Sequence, residues 1–118
     1  MPTRRTPQVY LYDPKCCPFT ATWRVIGGKW KGVIWWRLTR GLGRFGDLRR
    51  AIPQVSKKML VQQLRELERD GVVRRRIFDE VPPRVEYTLT PYGKSLESVI
   101  GAICVWGGRH LQRSGLRK

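Results

Sequence analysis

The chain has 118 residues, and its 24 lysine and arginine residues against 9 acidic ones give a net charge of +15. This length fits one domain with its own hydrophobic core. Charge of a single sign adds self-repulsion to the compact state. The excess of positive charge therefore favours a polyanionic partner. We favour binding to nucleic acid over the interpretation that the charge serves solubility alone. No apolar run approaches the ~20 residues that span a bilayer, so we expect a cytoplasmic protein without a membrane partner.

Few residues have the chemistry of a catalytic or metal-binding site. The three cysteines are Cys16, Cys17 and Cys104, and their odd number argues against a disulfide framework. The single histidine, His110, lies far along the chain and leaves no zinc-ligand spacing. The sequence also lacks a glycine-rich phosphate loop and a Ser-His-Asp set. We therefore expect no metal, no cofactor and no enzymatic activity.

Proline and charge mark the two ends of the chain. Three prolines within residues 1–15 predict an irregular basic arm. The helix and strand patterns occupy residues 16–110, which we predict to form one folded domain. Residues 111–118 contain two arginines and a lysine and predict a basic tail.

The first predicted helix opens the domain. Pro18 suits the first turn of a helix, and the glycine pair at 27–28 ends it. Phe19, Trp23 and Ile26 are spaced by four and three residues, which predicts a stripe that faces the core.

The second predicted helix runs from about Lys29 to Arg40 and is rich in tryptophan. The residues at helical spacing are Trp30, Val33, Ile34, Arg37 and Leu38, with Trp35 and Trp36 beside them. Three tryptophans so close together leave two interpretations open. Either one of them covers a second subunit or a pocket, or the helix is buried on most sides in a small protein.

A short helix, a turn and a longer basic helix follow, which is the order of a helix-turn-helix motif. The short helix spans about 47–52, and the turn spans 53–55. Ser56 is a suitable N-cap for the longer helix and Gly71 a suitable stop, so this helix is predicted at about 56–70. Its apolar stripe contains Leu60, Leu64 and Leu67, and the opposite stripe contains Lys58, Gln62, Arg65 and Arg69.

Two strand-like runs at 72–79 and 84–90 predict a hairpin that carries several arginines. A last helix is predicted from Thr90 and Pro91, which suit an N-cap and a first helical residue. This helix either folds back on its own domain or pairs with a second copy. Its apolar seam contains Leu96, Val99, Ile100, Ile103 and Trp106. The predicted fold class is α+β, mostly α: a winged helix-turn-helix with a two-stranded wing at 72–90.

Several ordered motifs resemble those of the HxlR-type regulators, which are bacterial and archaeal relatives of the MarR group. The motifs are Cys17-Pro18, Ile26-Gly27-Gly28-Lys29-Trp30, Arg44 to Arg50, Ser56 to Leu60, Leu64 to Val73 and Val81 to Thr90. The resemblance covers roughly residues 17–107. It implies a homodimeric winged helix-turn-helix transcription factor with N- and C-terminal dimerisation helices. The dimerisation residues would then be Phe19, Trp23, Leu96, Val99, Ile100, Ile103 and Trp106.

This interpretation places the recognition helix, about 56–70, in the major groove and the wing on the minor groove or the backbone. We predict that Gln62 pairs with adenine and that Arg65 contacts guanine or phosphate. Some basic residues can instead form a solvated face paired with acidic neighbours. Val61 stands where the family often has a small hydroxyl residue, so base preference near the helix start can differ. The predicted DNA-binding residues are Arg44, Arg49, Arg50, Ser56, Lys57, Lys58, Gln62, Gln63, Arg65, Arg74, Arg76 and Arg84.

The expected function is sequence-specific binding of double-stranded DNA, with repression as the expected output and an inverted-repeat operator for the homodimer. A small-molecule or electrophile effector is a further predicted partner, and a small molecule would lie between the tryptophan-rich helix and the apolar seam of the last helix. Cys17 is the redox-sensing candidate, because a helix N-terminus and a basic chain both lower a thiol pKa. The other interpretation of Cys17 is a small residue packed at a helix start. The alternative function is non-specific binding of RNA or architectural binding of DNA.

Overall fold

The computed structural model describes residues 17–115. It confirms the predicted α+β, mostly helical, winged helix-turn-helix fold. The arm and Cys16 lie outside the described residues, as does the end of the tail. The elements are α1 (Pro18–Ile26), α2 (Lys31–Thr39), α3 (Phe45–Ala51), α4 (Lys57–Arg69), β1 (Val73–Phe78), β2 (Arg84–Leu89), α5 (Pro91–Lys94) and α6 (Glu97–Arg113).

Helix α4 has one fully buried face, which attaches it to the core. Leu60, Leu64 and Leu67 on that face are each 0% exposed. Ser56 caps the helix, because its Oγ accepts a hydrogen bond of 3.1 Å from the Met59 N–H. Gly71 ends the helical stretch with φ +79°, a conformation that favours glycine. The predicted cap, stripe and stop of this helix are confirmed.

The wing is an antiparallel pair in which Val73 lies opposite Leu89 and Phe78 lies opposite Arg84. The segment before α3 also joins it. Arg44 forms an isolated bridge with Glu86, and the Gly43 carbonyl accepts a 2.7 Å hydrogen bond from the Tyr87 N–H. The base of the wing is thereby fixed to the first helix of the helix-turn-helix unit.

The buried face of α2 includes only some of the residues at the helical spacing noted in the sequence. Ile34, Trp35 and Leu38 are buried, whereas Val33 is exposed. Trp35 reaches the core because its indole Nε1 donates a 2.8 Å hydrogen bond to the Gly93 carbonyl, which satisfies its polar atom. The tryptophans have different environments, since Trp36 remains exposed beneath the guanidinium groups of Arg37 and Arg40.

The predicted core-facing stripe of α1 is wrong for two of its three residues. Ile26 is buried, but Phe19 is 66% and Trp23 52% exposed. The helical spacing correctly predicted that these side chains share one face of α1, where their rings stack at a centroid distance of 6.3 Å. Helical spacing alone does not say what covers such a face.

The single last helix of the prediction is two helices, α5 and α6. Thr90 caps α5 through its Oγ, which accepts a 2.9 Å hydrogen bond from the Gly93 N–H. The Ser95 hydroxyl then donates to the Tyr92 carbonyl at 2.5 Å, a local bond that competes with continued helix. At its far end α6 continues to Arg113, so helix extends into the predicted basic tail.

Residues 17–115 contain no helix with both the length and the apolar character needed to cross a bilayer. Within the same range, no group of three or more His, Cys, Asp or Glu side chains is arranged to hold a metal ion.

We predict that Gly93→Ala destabilises the fold strongly and that Gly32→Ala does not. A Cβ at Gly93 would collide with the Val72 carbonyl, so we expect a loss of about 1–3 kcal/mol, as for other overpacked sites. A Cβ at Gly32, within α2, meets nothing within 4 Å, and we expect a gain of about 0.5–1 kcal/mol. Urea unfolding followed by tryptophan fluorescence measures both. Equal free energies of unfolding for the two variants would contradict the close packing of α5 on Val72.

Candidate nucleic-acid interface

The exposed face of α4 carries the residues that the sequence predicted for base contact. Ser56, Lys57 and Lys58 at the start of the helix are exposed, as are Gln62 and Arg65 further along. The N-terminal turn also offers backbone N–H groups, which favour phosphate. Because the leucines on the opposite face are buried in the core, this face of α4 points toward solvent.

Gln62 and Gln63 have different surroundings although they are neighbours. The Gln62 Nε2 donates a 3.3 Å hydrogen bond to Glu66 Oε2, one helical turn away. The partly buried Gln63 instead directs its Nε2 to the Met59 sulfur at 3.6 Å. Thioether sulfur is a weak acceptor, so the amide of Gln62 is the better oriented of the two.

A groove of about 860 Å³ separates α4 from the wing. Six lysine and arginine side chains line it against three carboxylates, so its net charge suits a phosphate backbone. Val61 and Arg65 form part of the α4 wall. The valine noted above therefore lies beside the predicted DNA surface, where it offers no hydroxyl.

Some predicted DNA-binding arginines already have acidic partners. Arg50 Nη2 lies 2.5 Å from Asp47 Oδ1, and Arg44 Nε lies 3.4 Å from Glu86 Oε2. Both arginine side chains remain more than half exposed, so they can still reach a phosphate.

Arg84 is the most enclosed of the wing arginines. Its side chain is 26% exposed, and its guanidinium carbon lies 3.9 Å from the Phe78 ring centroid. The same guanidinium lies 3.1 Å from Glu80 and 3.2 Å from Glu86. These contacts suit a structural role in the wing, which was the alternative that the sequence left open.

Arg49, Arg74 and Arg76 are exposed, and none of them forms an ion pair within residues 17–115. Arg76 lies 4.8 Å above the Phe78 ring, on the wing. Arg69 on α4 lies 3.5 Å from Asp70, in agreement with an ordinary solvated pair. The exposed arginines without acidic partners are the stronger candidates for phosphate contact.

The sequence did not reveal an ion pair behind α4 that joins a buried lysine to a partly exposed glutamate. Lys31 Nζ, from the start of α2, lies 2.6 Å from Glu66 Oε1, and the lysine is only 6% exposed. Lys31, Ile34, Trp35 and Leu38 follow helical core spacing, which could have revealed the lysine. Lysine is rarely buried without a partner, so its position would have called for an acidic residue nearby.

The hydrogen bond from Lys31 lowers the pKa of the Glu66 carboxyl, and burial opposes it. Because this pKa is lowered in the folded protein, the pair stabilises the fold above the ordinary pKa of glutamate. The stabilisation is lost as the pH falls through the lowered pKa. Burial also raises the pKa of the Tyr87 hydroxyl above its ordinary value.

A second group of exposed side chains is large and apolar. They belong to α1 and to the outer part of α6, where Trp106 is 68% exposed and stacks on His110 at 5.2 Å. The inner part of the predicted seam packs on the protein's own core: Ile100 is buried, and Leu96 and Val99 are partly buried. The exposed members are Phe19, Trp23, Ile103, Val105, Trp106 and Leu111.

A groove of about 990 Å³ lies between α2, β2 and α6. Trp35, Trp36 and Arg40 form part of its α2 wall, and Lys94 and Cys104 line the opposite side. This is the place where the sequence analysis predicted an effector, between the tryptophan-rich helix and the apolar seam.

Cys17 is buried at the N-terminus of α1 with 1% exposure. Its Sγ accepts a 3.4 Å hydrogen bond from the Thr20 N–H and so acts as the cap of the helix. A helix N-terminus favours thiolate, whereas burial opposes it. Cys104, by contrast, lies exposed on α6.

Comparison with known proteins identifies the family. A model of HxlR-like helix-turn-helix domains matches residues 25–115. The chain belongs to the HxlR family. The HTH-type transcriptional regulator YtcD of Bacillus subtilis is 53% identical over 93 residues, which are 79% of this chain and 74% of YtcD. The crystal structure of YtcD superimposes with a TM-score of 0.76 at 49% identity, covering 80% of this chain and 97% of that one.

Two of the similar structures are named as the redox regulator HypR. Its oxidised form has a TM-score of 0.73 at 45% identity, covering 79% of this chain and 96% of HypR. Its reduced form has a TM-score of 0.76 at 43% identity, covering 82% and 98%. This HxlR-family chain is a transcriptional regulator with a helix-turn-helix domain, and the family implies DNA as its partner.

We predict that two wing arginines differ in their contribution to DNA binding. Arg74→Ala should reduce the slope of log affinity against log salt by about 0.9, because one phosphate contact is lost. Arg84→Ala should leave the slope near that of the wild type, since Glu80 and Glu86 already hold this side chain. Fluorescence anisotropy with a labelled duplex over a salt series measures both. Equal slope changes would contradict the distinction.

Proposed function

We propose that this HxlR-family protein is a homodimeric repressor that binds an inverted-repeat DNA operator sequence-specifically. The observation that carries the proposal is the exposed face of α4, with Lys58, Gln62 and Arg65 above a basic groove. A helix of this kind enters the major groove, and an amide or guanidinium there can read base edges. The wing, through Arg74 and Arg76, holds the flanking backbone.

The exposed apolar side chains of α1 and α6 support the proposed homodimer. Phe19, Trp23 and Trp106 are each more than half exposed, and exposed apolar side chains of this size on α1 and α6 are typical of an interaction surface. A second copy with two-fold symmetry covers both patches with the same residues. Two recognition helices related by this axis require half-sites about one helical turn apart, ~10 bp.

The response to oxidants is centred on Cys17. Its sulfur fills a fully packed position and caps α1, so oxidation would add atoms where the core has no room. Helix α1 must then move, and Phe19 and Trp23 of the proposed dimer surface move with it. The similar structures of the redox regulator HypR support a redox response in general.

The first test titrates the purified, reduced protein against the duplex upstream of its own gene and against a shuffled duplex at matched salt. A preference of ~10³ or more for the upstream duplex supports specific operator binding. Light scattering of the free protein should give the mass of a dimer, and footprinting should show a symmetric site. Equal and steeply salt-dependent binding to both duplexes would favour the non-specific alternative, for which the charge of +15 is the argument.

We predict that diamide joins the Cys17 thiols of the two subunits in a disulfide, while the diamide takes up their two hydrogens and is reduced to the hydrazine. This oxidation should weaken operator binding of the wild type by about tenfold, or 1.4 kcal/mol. Cys17→Ser should abolish this response, because serine removes the sulfur and retains a side chain able to cap α1. Cys104→Ser is the matched control and should retain the response. An unchanged diamide response in Cys17→Ser would refute the assignment of Cys17 as the sensor.

A further inference from the structure

We propose that Lys31 and Glu66 form a positioning pair that holds the Gln62 amide in the orientation needed to read a base. The three side chains form one continuous chain from the interior of the protein to the DNA face of α4. The inference rests on the proposed sequence-specific binding of DNA through α4, and it deepens that function by naming residues outside the DNA surface that set specificity.

Lys31 occupies a position that disfavours a cation unless an anion compensates it. It is 6% exposed, and it is the first residue of α2, where the helix dipole is positive. Its compensation is Glu66 Oε1 at 2.6 Å. Because a buried ammonium group needs this partner, the lysine restricts the carboxylate to one orientation.

The two oxygens of the Glu66 carboxylate contact different partners, one in the interior and one at the surface. Oε1 faces Lys31, while Oε2 accepts from Gln62 Nε2 at 3.3 Å. The amide of Gln62 thereby has its nitrogen directed toward the carboxylate. Its Oε1 and its second N–H remain for the two groups that adenine presents in the major groove, the N6 donor and the N7 acceptor.

The pair also removes an electrostatic penalty at the DNA surface. Glu66 is one turn from Gln62, so an uncompensated carboxylate there would repel the phosphate backbone. The ammonium group of Lys31 compensates this charge from behind the helix. Both partners must therefore be replaced together in a test, because removal of one leaves the other as an unpaired charge.

The test first identifies the base pair that Gln62 reads. Each base pair of the operator is substituted in turn, and binding by the wild type and Gln62→Ala is compared. The position where only the wild type discriminates is the Gln62 base pair, and a good bidentate contact there should be worth about tenfold or more. The double variant Lys31→Met/Glu66→Leu, which retains Gln62, is then measured on the same set.

We expect the double variant to lose most of the discrimination at the Gln62 base pair and to keep the wild-type profile elsewhere. Arg69→Gln/Asp70→Asn is the matched control. It removes a different pair, 3.5 Å apart at the end of α4, neither residue lines the groove between α4 and the wing, and discrimination at the Gln62 base pair should be preserved. If Lys31→Met/Glu66→Leu discriminates between base pairs as the wild type does, the positioning role alone is overturned. If Gln62→Ala discriminates like the wild type at every base pair, the positioning role is again overturned, and specific binding by the wild type still stands. Equal binding of operator and shuffled duplexes would overturn both proposals.

A second measurement uses only the wild-type protein, so its outcome does not depend on whether a variant folds. In the free wild-type protein, the side-chain N–H resonances of Gln62 should shift as Glu66 is protonated, with a midpoint below the ordinary pKa of glutamate. Lys31 and Arg69 are the charged groups that lower this pKa. The Gln63 resonances, whose amide faces the Met59 sulfur, are the internal control and should not follow this titration. Identical behaviour of the two glutamines would overturn the proposed hydrogen bond.

Discussion

The burial of one face of α4 is the constraint on which the rest of the structure depends. Leu60, Leu64 and Leu67 are completely enclosed, and full burial of a leucine contributes about 1.5–3 kcal/mol relative to exposure. A helix with one buried face has a defined rotation about its axis. The rotation of α4 therefore determines which side chains face outward, and the amphipathic pattern that stabilises the fold also presents Lys58 and Gln62.

Charge is arranged around this helix in two ways. On the exposed side, lysine and arginine outnumber carboxylates in the groove between α4 and the wing, which suits a polyanion. On the buried side, Lys31 meets Glu66 at 2.6 Å, where the partnership compensates desolvation. Salt screens the exposed charges strongly, whereas it screens the enclosed pair less. Arg84 is intermediate between the exposed charges of the groove and the enclosed pair. It is partly exposed, yet an acidic partner and Phe78 hold it within the wing.

The helix-turn-helix and the wing were predictable because their periodic patterns coincide with strong cap and turn residues such as Ser56 and Gly71. The surroundings of a helix were less predictable. Phe19 and Trp23 lie on one face of α1 as expected, but that face is exposed. Helical spacing shows which side chains share a face, and it does not show whether other residues bury that face. Trp35 enters the core through a hydrogen bond to the Gly93 carbonyl, 58 residues away. Which predicted side chains contact DNA depends on a partner that the chain alone does not contain.

Helix α2 connects the surfaces that a regulator has to coordinate. Its first residue, Lys31, forms the ion pair with α4, and Trp35 one turn later is bonded to α5. The exposed Trp36 lines the groove whose opposite wall includes Cys104 of α6. The groove and the ion pair therefore share one helix, with Trp36 lining the groove and Lys31 at the start of the helix holding Glu66. Because packed interiors transmit strain, a displacement of α2 at the groove would also displace the side chain that holds Glu66.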